Sequence, residues 1–206
     1  MTDDLVAKKR WLPMQEKTRA AVRAAMMEAA FVVLGVVLAL AANEWREARV
    51  DRREAAAALA SITEELASNR SAVASSLEYH DALLAMLQRS RTDGTALDAD
   101  RFTRGFVSPA QLHRTGWESA SETGVLGHME YATVLHLARA YAQQARYEEQ
   151  ARSVGEIIYG EYYRGGAEAL LANPHGLASL IGTFAYRERQ LLESYDRTAG
   201  PSAARP

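Results

Sequence analysis

The five histidines are the first residues to test for chemistry, because imidazole serves as a metal ligand or as a general base near neutral pH. They are His80, His113, His128, His136 and His175. No two of them stand four residues apart, and the zinc motif H-E-x-x-H is absent. The chain has no cysteine, which excludes disulfides, thiolate metal sites and cysteine nucleophiles. A metal site assembled from different helices is therefore disfavoured.

A second group combines a possible nucleophile with a possible base. Ser119 and Ser121 lie near His128 in the sequence, around Trp117. The serines lack a G-x-S-x-G turn, and serine is common near helix ends in any case. Neither of the two glycine-rich nucleotide-binding motifs, G-x-x-x-x-G-K-[ST] and G-x-G-x-x-G, is present. We therefore predict no catalytic residue, no metal and no cofactor.

Aromatic and basic residues near the C-terminus are the best candidates for binding. Tyr159, Tyr162 and Tyr163 precede a helix that carries Arg187, and tyrosine with arginine is typical of recognition surfaces. Trp117 is a further candidate. Ordinary packing is the alternative for all five, since tyrosines also line seams between helices and Trp117 would anchor a core. We name these five as possible ligand or interaction residues.

The elements that must position these residues are helices. Alanine is abundant, whereas valine and isoleucine are scarce outside one apolar stretch, and alanine loses no side-chain entropy in a helix. The net charge of −2 is too balanced for a nucleic-acid-binding protein, which normally carries a basic patch. The composition therefore predicts an all-α protein that does not bind nucleic acid.

The apolar stretch runs from Ala24 to Trp45. Its uninterrupted part, Ala29–Ala42, has 14 residues, fewer than the roughly 17–25 of a spanning helix. The full stretch has 22 residues, about 33 Å of helix, and includes Glu28 near one end, where a carboxylate can reach water. Trp45 stands where an interfacial aromatic anchor is expected. Gly35 and Ala39 form a small-xxx-small pair that lets two such helices approach closely. We predict a transmembrane helix over residues 24–45.

The charges on either side of this stretch predict its orientation. Residues 1–28 carry six basic and four acidic side chains, whereas residues 44–206 carry 18 and 22. Positive charge favours the cytoplasmic side, which places the N-terminus in the cytoplasm and the rest in the periplasm of a bacterial inner membrane. Two alternatives stay open. Ala39-Leu40-Ala41 fits the A-x-A cleavage pattern of a signal peptide, and a buried helix of a soluble protein would also be apolar.

The chain after the apolar stretch reads as three long helices with short helical pieces between the first two. The first helix continues from the span to about Arg91, with a stripe close to a 3.5-residue period formed by Leu59, Ile62, Leu66, Asn69, Val73, Leu77, His80, Leu84 and Leu87. Gly94 is a natural C-terminal cap. Thr115 and Glu118 predict a capping box for a short helix of about 116–123.

The second and third long helices complete the predicted bundle. The second covers about 128–163, and its apolar face is formed by Val134, Leu137, Tyr141, Ala145, Val154, Ile158 and Tyr162. Gly165 and Gly166 loosen or end it. The third begins near Pro174, a favoured first helical residue, and its apolar face holds Leu177, Leu180, Ile181, Phe184, Leu191 and Tyr195. We expect the three to form an antiparallel bundle.

Two sequence motifs resemble those of a group of bacterial single-pass membrane proteins of unknown activity. The first joins Glu28, Leu34-Gly35 and the segment Ala39-Leu40-Ala41-Ala42-Asn43-Glu44-Trp45. The second joins Trp117 to Gly124-Val125-Leu126. In that group an N-terminal span leads into a helical extracytoplasmic domain. The resemblance therefore implies membrane anchoring and no known activity.

These observations predict four segments. They are a cytoplasmic basic arm (1–23), the transmembrane helix (24–45), a periplasmic helical domain (46–198) and a flexible tail (199–206). We expect a non-enzymatic interaction or accessory module whose partners are the lipid bilayer and either a second copy or another membrane protein. A small-molecule-binding bundle in the periplasm, or a secreted helical protein after cleavage, is the alternative.

Overall fold

The computed structural model describes the backbone of residues 14–199 and the side chains of Arg19 and of residues 21–198. Most of the predicted arm (1–23) and tail (199–206) therefore lies outside the described residues. Within the described range the structure is 87% helical and contains no strand, which confirms the all-α class.

Four α-helices and two short 3₁₀ turns make up the described chain. The helices are α1 (Met14–Asp93), α2 (Thr115–Glu122), α3 (Tyr131–Leu171) and α4 (Pro174–Ala199), and the turns are Ala99–Arg101 and Val125–His128. Gly94 ends α1 with φ +64°, as predicted for a C-terminal cap. The chain divides between Val50 and Asp51 into two compact units.

The first unit contains the apolar stretch within α1. Its large side chains are exposed on every face, from Met26 (68%) to Leu40 (66%). This is the one helix in the described range that is long and apolar enough to cross a membrane, although a signal sequence or a buried helix could share its length and composition. At its end the Arg49 guanidinium carbon lies 5.0 Å from the centre of the Trp45 ring, a cation–π contact.

Side-chain contacts in the second unit show that α1 and α3 run in the same direction. Glu65 of α1 accepts a hydrogen bond from Tyr141 of α3 at 2.5 Å, and Asn69, one turn later, reaches Gln144, one turn later on α3. The α1–α3 connection, residues 94–130, must therefore return along the bundle before α3 can begin. The prediction of an antiparallel bundle is therefore wrong for α1 and α3, because no signal in the sequence indicated that the connection itself runs back along the bundle.

Helix α4 runs opposite to both of the others. Arg70 contacts Asp196 at 2.6 Å, whereas His80, further along α1, contacts Glu188, earlier in α4. Helices α3 and α4 form a hairpin across Ala172–Asn173. Gly166 adopts φ +66° and ψ −165°, a combination that only glycine tolerates, and it kinks α3 where the sequence predicted a break.

The core of the second unit follows a seven-residue repeat. The buried positions of α1 are Ala55, Ile62, Leu66, Asn69, Val73, Ser76, His80, Leu83 and Leu87. Ser76 and Leu83 occupy positions where the sequence suggested Leu77 and Leu84, which are only half-buried. On α3, Gln144 is buried and the predicted Ala145 is exposed. A strict 3.5-residue repeat buries Ser76, Leu83 and Gln144 instead of the residues that follow them, because each helix must keep one seam towards its partners.

Candidate functional site

The segment of residues 102–114, which we call the strap, has no helix or strand and lies along the bundle. The strap runs antiparallel to α1. Ser108 contacts His80 and Ser76, whereas His113 contacts Asn69, more than one turn earlier in α1. An irregular segment packed against a core carries backbone groups that need hydrogen-bond partners. Buried polar side chains of α1 and α3 supply them.

Asn69 and Gln144 bind one end of the strap. The Asn69 amide oxygen accepts the His113 N–H at 2.9 Å, and its amide nitrogen donates to the His113 carbonyl at 2.6 Å. Gln144 donates to the same carbonyl at 3.1 Å and accepts from Tyr195 at 2.9 Å. Asn69 and Gln144 are each 1% exposed. The two amides therefore form a closed network around one strap residue.

His80 and Tyr147 bind the middle of the strap. His80 Nε2 lies 3.0 Å from the Ser108 nitrogen, and the Tyr147 hydroxyl accepts the Ala110 N–H at 2.8 Å. Both side chains also contact Glu188, His80 through Nδ1 at 2.9 Å and Tyr147 through its hydroxyl at 3.4 Å. Pro109 stands between the two bonded amides and has no N–H that would need a partner.

The His80–Glu188 pair resembles the imidazole–carboxylate half of a catalytic triad, with a difference that decides its chemistry. In a triad the second imidazole nitrogen faces a nucleophile. Here it accepts the backbone N–H of Ser108, and both side chains are 0% exposed. The pair therefore supports the backbone of the strap.

Glu65 binds the far end of the connection, at the start of α2. Its carboxylate accepts the Gly116 N–H at 2.9 Å and the Tyr141 hydroxyl at 2.5 Å. The predicted capping box is wrong, because α2 begins at Thr115 itself and no side-chain bond caps it from position 114. A carboxylate from α1 takes over the role at this helix N-terminus, where negative charge is stabilising.

Three buried tyrosines hold their protons tightly. Burial is the largest cause of the raised pKa of Tyr141, Tyr147 and Tyr195. Nearby carboxylates add to it, mainly Glu65 for Tyr141 and Glu188 for Tyr147. Both effects disfavour the phenolate, so these hydroxyls remain hydrogen-bond donors well above neutral pH.

The outer face of the strap forms one wall of a groove of about 810 Å³, which we call the strap groove. Helix α3 forms the other wall. The lining residues are Arg104, Gly105, Phe106, Val107, Pro109, Ala151, Arg152, Gly155, Glu156, Ile158, Tyr159 and Tyr162. Most of these are apolar or aromatic, with two arginines and one glutamate among them. This composition is typical of a pocket that binds a ligand or a partner.

The structure brings some of the predicted binding residues together and separates others. Tyr159 and Tyr162 both line the strap groove, and the Tyr163 ring packs edge-on to Tyr162 with centroids 6.4 Å apart. Arg187 is not among the lining residues, and its guanidinium donates to Gln190 at 3.0 Å. Trp117 stacks on Tyr141 at 5.2 Å in a separate cavity of about 260 Å³.

The predicted membrane-anchor residues lie in the first unit. A Cβ atom added to Gly35 would meet no atom within 4 Å, so a second helix has room to approach. Glu28 and Ala39 are exposed, and Trp45 is 60% exposed. Their role in membrane anchoring stays a prediction.

Sequence reasoning missed Ser76 and Gln144, which bond the strap, and Glu188, which bonds His80 and Tyr147. The sequence did contain a signal for Gln144 and Glu188. Gln144 stands seven residues after Leu137, and Glu188 stands seven residues after Ile181, so each occupies a core position of its helix. A polar residue at a core position needs a partner. Among the described residues no buried side-chain polar atom lacks one, and no cluster of three metal-binding side chains occurs.

No protein-family model matches the chain, and no curated protein or solved structure matches it either. The family resemblance of the two motifs therefore remains a hypothesis, and function must be inferred from the geometry.

Proposed function

We propose that the protein is a membrane-anchored, non-enzymatic interaction module that binds its partner at the strap groove. The observation that carries this proposal is the difference between the two faces of the strap. Its inner face uses the buried polar side chains for backbone support, and its outer face presents Phe106 beside Tyr159 and Tyr162. Aromatic and arginine side chains on a concave surface dominate the energy of many protein interfaces.

The anchor in this proposal is the apolar helix at residues 24–45. Its side chains have no protein neighbour to bury them, and lipid would remove them from water. The basic residues before it favour a cytoplasmic N-terminus, which places the domain in the periplasm of a bacterial inner membrane. The partner is then a second copy or another membrane protein in the same bilayer.

Photo-crosslinking in cells tests the groove as the binding surface. A photoreactive phenylalanine analogue replaces Tyr159 in the full chain, and Tyr186 serves as the matched control. Tyr159 and Tyr186 are both exposed tyrosines, at 65% and 56%, but only Tyr159 lines the groove. We expect a discrete crosslinked protein from position 159 and none from 186. Equal patterns from both positions would contradict the proposal.

A cysteine-accessibility experiment tests the topology, because the natural chain has no cysteine. A membrane-impermeant maleimide should label Arg91→Cys in cells with a permeabilised outer membrane and should leave Lys9→Cys unlabelled. The opposite result would reverse the orientation. The intact mass of the extracted protein distinguishes the anchor from a signal peptide, since cleavage after Ala41 would give a mature chain that starts at Ala42.

A small-molecule-binding domain is the second candidate. The volume of the strap groove supports it, since ligand pockets commonly have about 300–1,000 Å³. Native mass spectrometry of the protein taken from its own membrane would show a bound small molecule in that case. A protein adduct at position 159 without a bound small molecule favours the interaction module.

A further inference from the structure

His80 is enclosed by protein on every side, and its two ring nitrogens have different partners. Nδ1 lies 2.9 Å from Glu188 Oε2, and Nε2 lies 3.0 Å from the Ser108 nitrogen, with 0% of the side chain exposed. A backbone N–H can only donate, so Nε2 must accept. The ring proton is therefore on Nδ1, where it is donated to Glu188. The structure assigns His80 as a neutral imidazole in the Nδ1–H tautomer.

A second proton on His80 is incompatible with the strap bond. The imidazolium ring donates at both nitrogens, so Nε2–H and the Ser108 N–H would face each other as two donors. The Glu188 carboxylate would still accept from Nδ1 and would stabilise the positive charge. Protonation of His80 therefore breaks its bond to the strap. The strap must move away, or the Ser108 N–H stays buried without an acceptor.

We propose that His80 is a protonation-controlled latch that holds the strap against the bundle. Neutral His80 fixes Ser108, and acidification releases it. Strap residues 104–107 and Pro109, on either side of Ser108, form one wall of the strap groove, so the shape of the groove follows the charge of His80. The effect on binding rests on the proposed function, whereas the release of the strap does not.

The groups that face His80 are compatible with this latch. Helix α4 contributes Glu188, and α3 contributes Tyr147, whose phenol stays neutral as the pH falls because burial raises its pKa. The centre of the Tyr79 ring of α1 lies 5.8 Å from that of the imidazole, and the Arg104 guanidinium carbon lies 4.9 Å from the centre of the Tyr79 ring. The next residue, Asp81, is paired with Arg189 at the surface. Ser108 of the strap does not titrate.

The tautomer is the first test. The full chain in lipid nanodiscs is labelled with ¹⁵N-histidine, and long-range proton–nitrogen spectra distinguish the two neutral tautomers. Loss of one signal in His80→Gln identifies the residue. We expect the Nδ1–H form at about pH 7.5. A signal from the Nε2–H form would overturn the proposal.

Hydrogen exchange tests the release. Peptides that contain Ser108 and Ala110 are followed at about pH 7.5 and about pH 5 in the natural chain and in His80→Gln. Glutamine keeps an acceptor for the Ser108 N–H but does not titrate. Comparison of the two proteins at each pH removes the pH dependence of the intrinsic exchange rate. We expect acid to lower the protection of the natural strap about tenfold, as for loss of one hydrogen bond, and to leave the variant unchanged. Equal behaviour of the two proteins would overturn the latch.

Glu188→Gln keeps the test decisive if His80→Gln does not fold. Its amide oxygen still accepts from Nδ1, but the imidazolium loses its counter-charge, so strap release should need a more acidic pH. An unchanged midpoint would contradict the latch.

Crosslinking at Tyr159 over the same pH range separates the two proposals. Strap release without any crosslink at either pH would reject the groove function alone, and crosslinking with a pH-independent strap would reject the latch alone.

Discussion

Two stretches of α1 distribute their polar and apolar residues in opposite ways. Between Met26 and Trp45 large apolar side chains are exposed on all faces in the part of the chain that the structure describes. Beyond Asp51 the same helix buries one face, and that face includes Asn69, Ser76 and His80. The difference teaches that burial in this protein does not follow polarity alone. Apolar residues lie outside where lipid can cover them, and polar residues lie inside where the strap needs partners.

The largest expected effect comes from a charge placed in the apolar stretch. Leu34→Arg changes the insertion free energy by about 3.5 kcal/mol, the difference between leucine and arginine near the middle of a membrane helix. We expect the protein to leave the membrane fraction. The control is Ala57→Arg, at an exposed position of α1 in the second unit, which should stay in the membrane. Retention of both variants would show that the stretch is not a span.

Alkali should affect the two stretches differently. Unfolded tyrosine loses its proton near pH 10, whereas the raised pKa of Tyr147 and Tyr195 keeps them protonated in the folded domain. Above that pH the unfolded state binds fewer protons, so stability falls, by up to about 3 kcal/mol at pH 11 for the two. Tyr141, whose pKa is raised by burial and by Glu65, adds to this loss. We expect circular dichroism to show alkaline unfolding of the domain while the chain remains membrane-bound. A domain of unchanged stability at pH 11 would contradict the buried hydrogen-bonded tyrosines.

Gln144→Leu tests whether the polar core is needed. In an ordinary core the more apolar residue would stabilise the protein. Here the substitution leaves the His113 carbonyl with one donor fewer and Tyr195 without its acceptor, which should cost about 2 kcal/mol. The control is Gln143→Leu, on the neighbouring, partly exposed position. Chemical denaturation of the full chain measures both. A more stable Gln144→Leu protein would show that the network is dispensable.

The smallest effect is expected at the surface. Asp81→Asn removes the ion pair with Arg189, in which both side chains are nearly half exposed. Water screens such pairs, so the free energy of unfolding should fall by less than about 0.5 kcal/mol. A loss as large as that of Gln144→Leu would mean that surface charge, rather than the buried network, dominates the polar contribution to stability.

Local signals predicted the helices well. Gly94 and Pro174 mark helix boundaries in the structure, and the pair Gly165-Gly166 breaks α3, because glycine and proline act through their own backbone preferences. The apolar stretch was equally visible, since its length and composition are properties of consecutive residues.

The partners of the buried polar residues were not predictable in the same way. Asn69 and His80 were placed on the core stripe from their spacing alone. Their partners are backbone groups of the strap, 44 and 28 residues away, and no local pattern encodes which backbone will arrive. The prediction that Ala145 lies on the buried face of α3 was wrong for a related reason, since Gln144 takes that place. A glutamine is expected outside unless a distant carbonyl is known to need it.

Bonds from buried side chains to the strap backbone hold the strap against the bundle, and amide hydrogen exchange resolved by residue measures them most directly. The N–H groups of Ser108, Ala110 and His113 have buried acceptors, whereas those of Val107 and Gln111 have none among the described residues. At neutral pH we expect strong protection at the first three positions and rapid exchange at the other two. Rapid exchange along the whole strap would show that the buried network does not hold it.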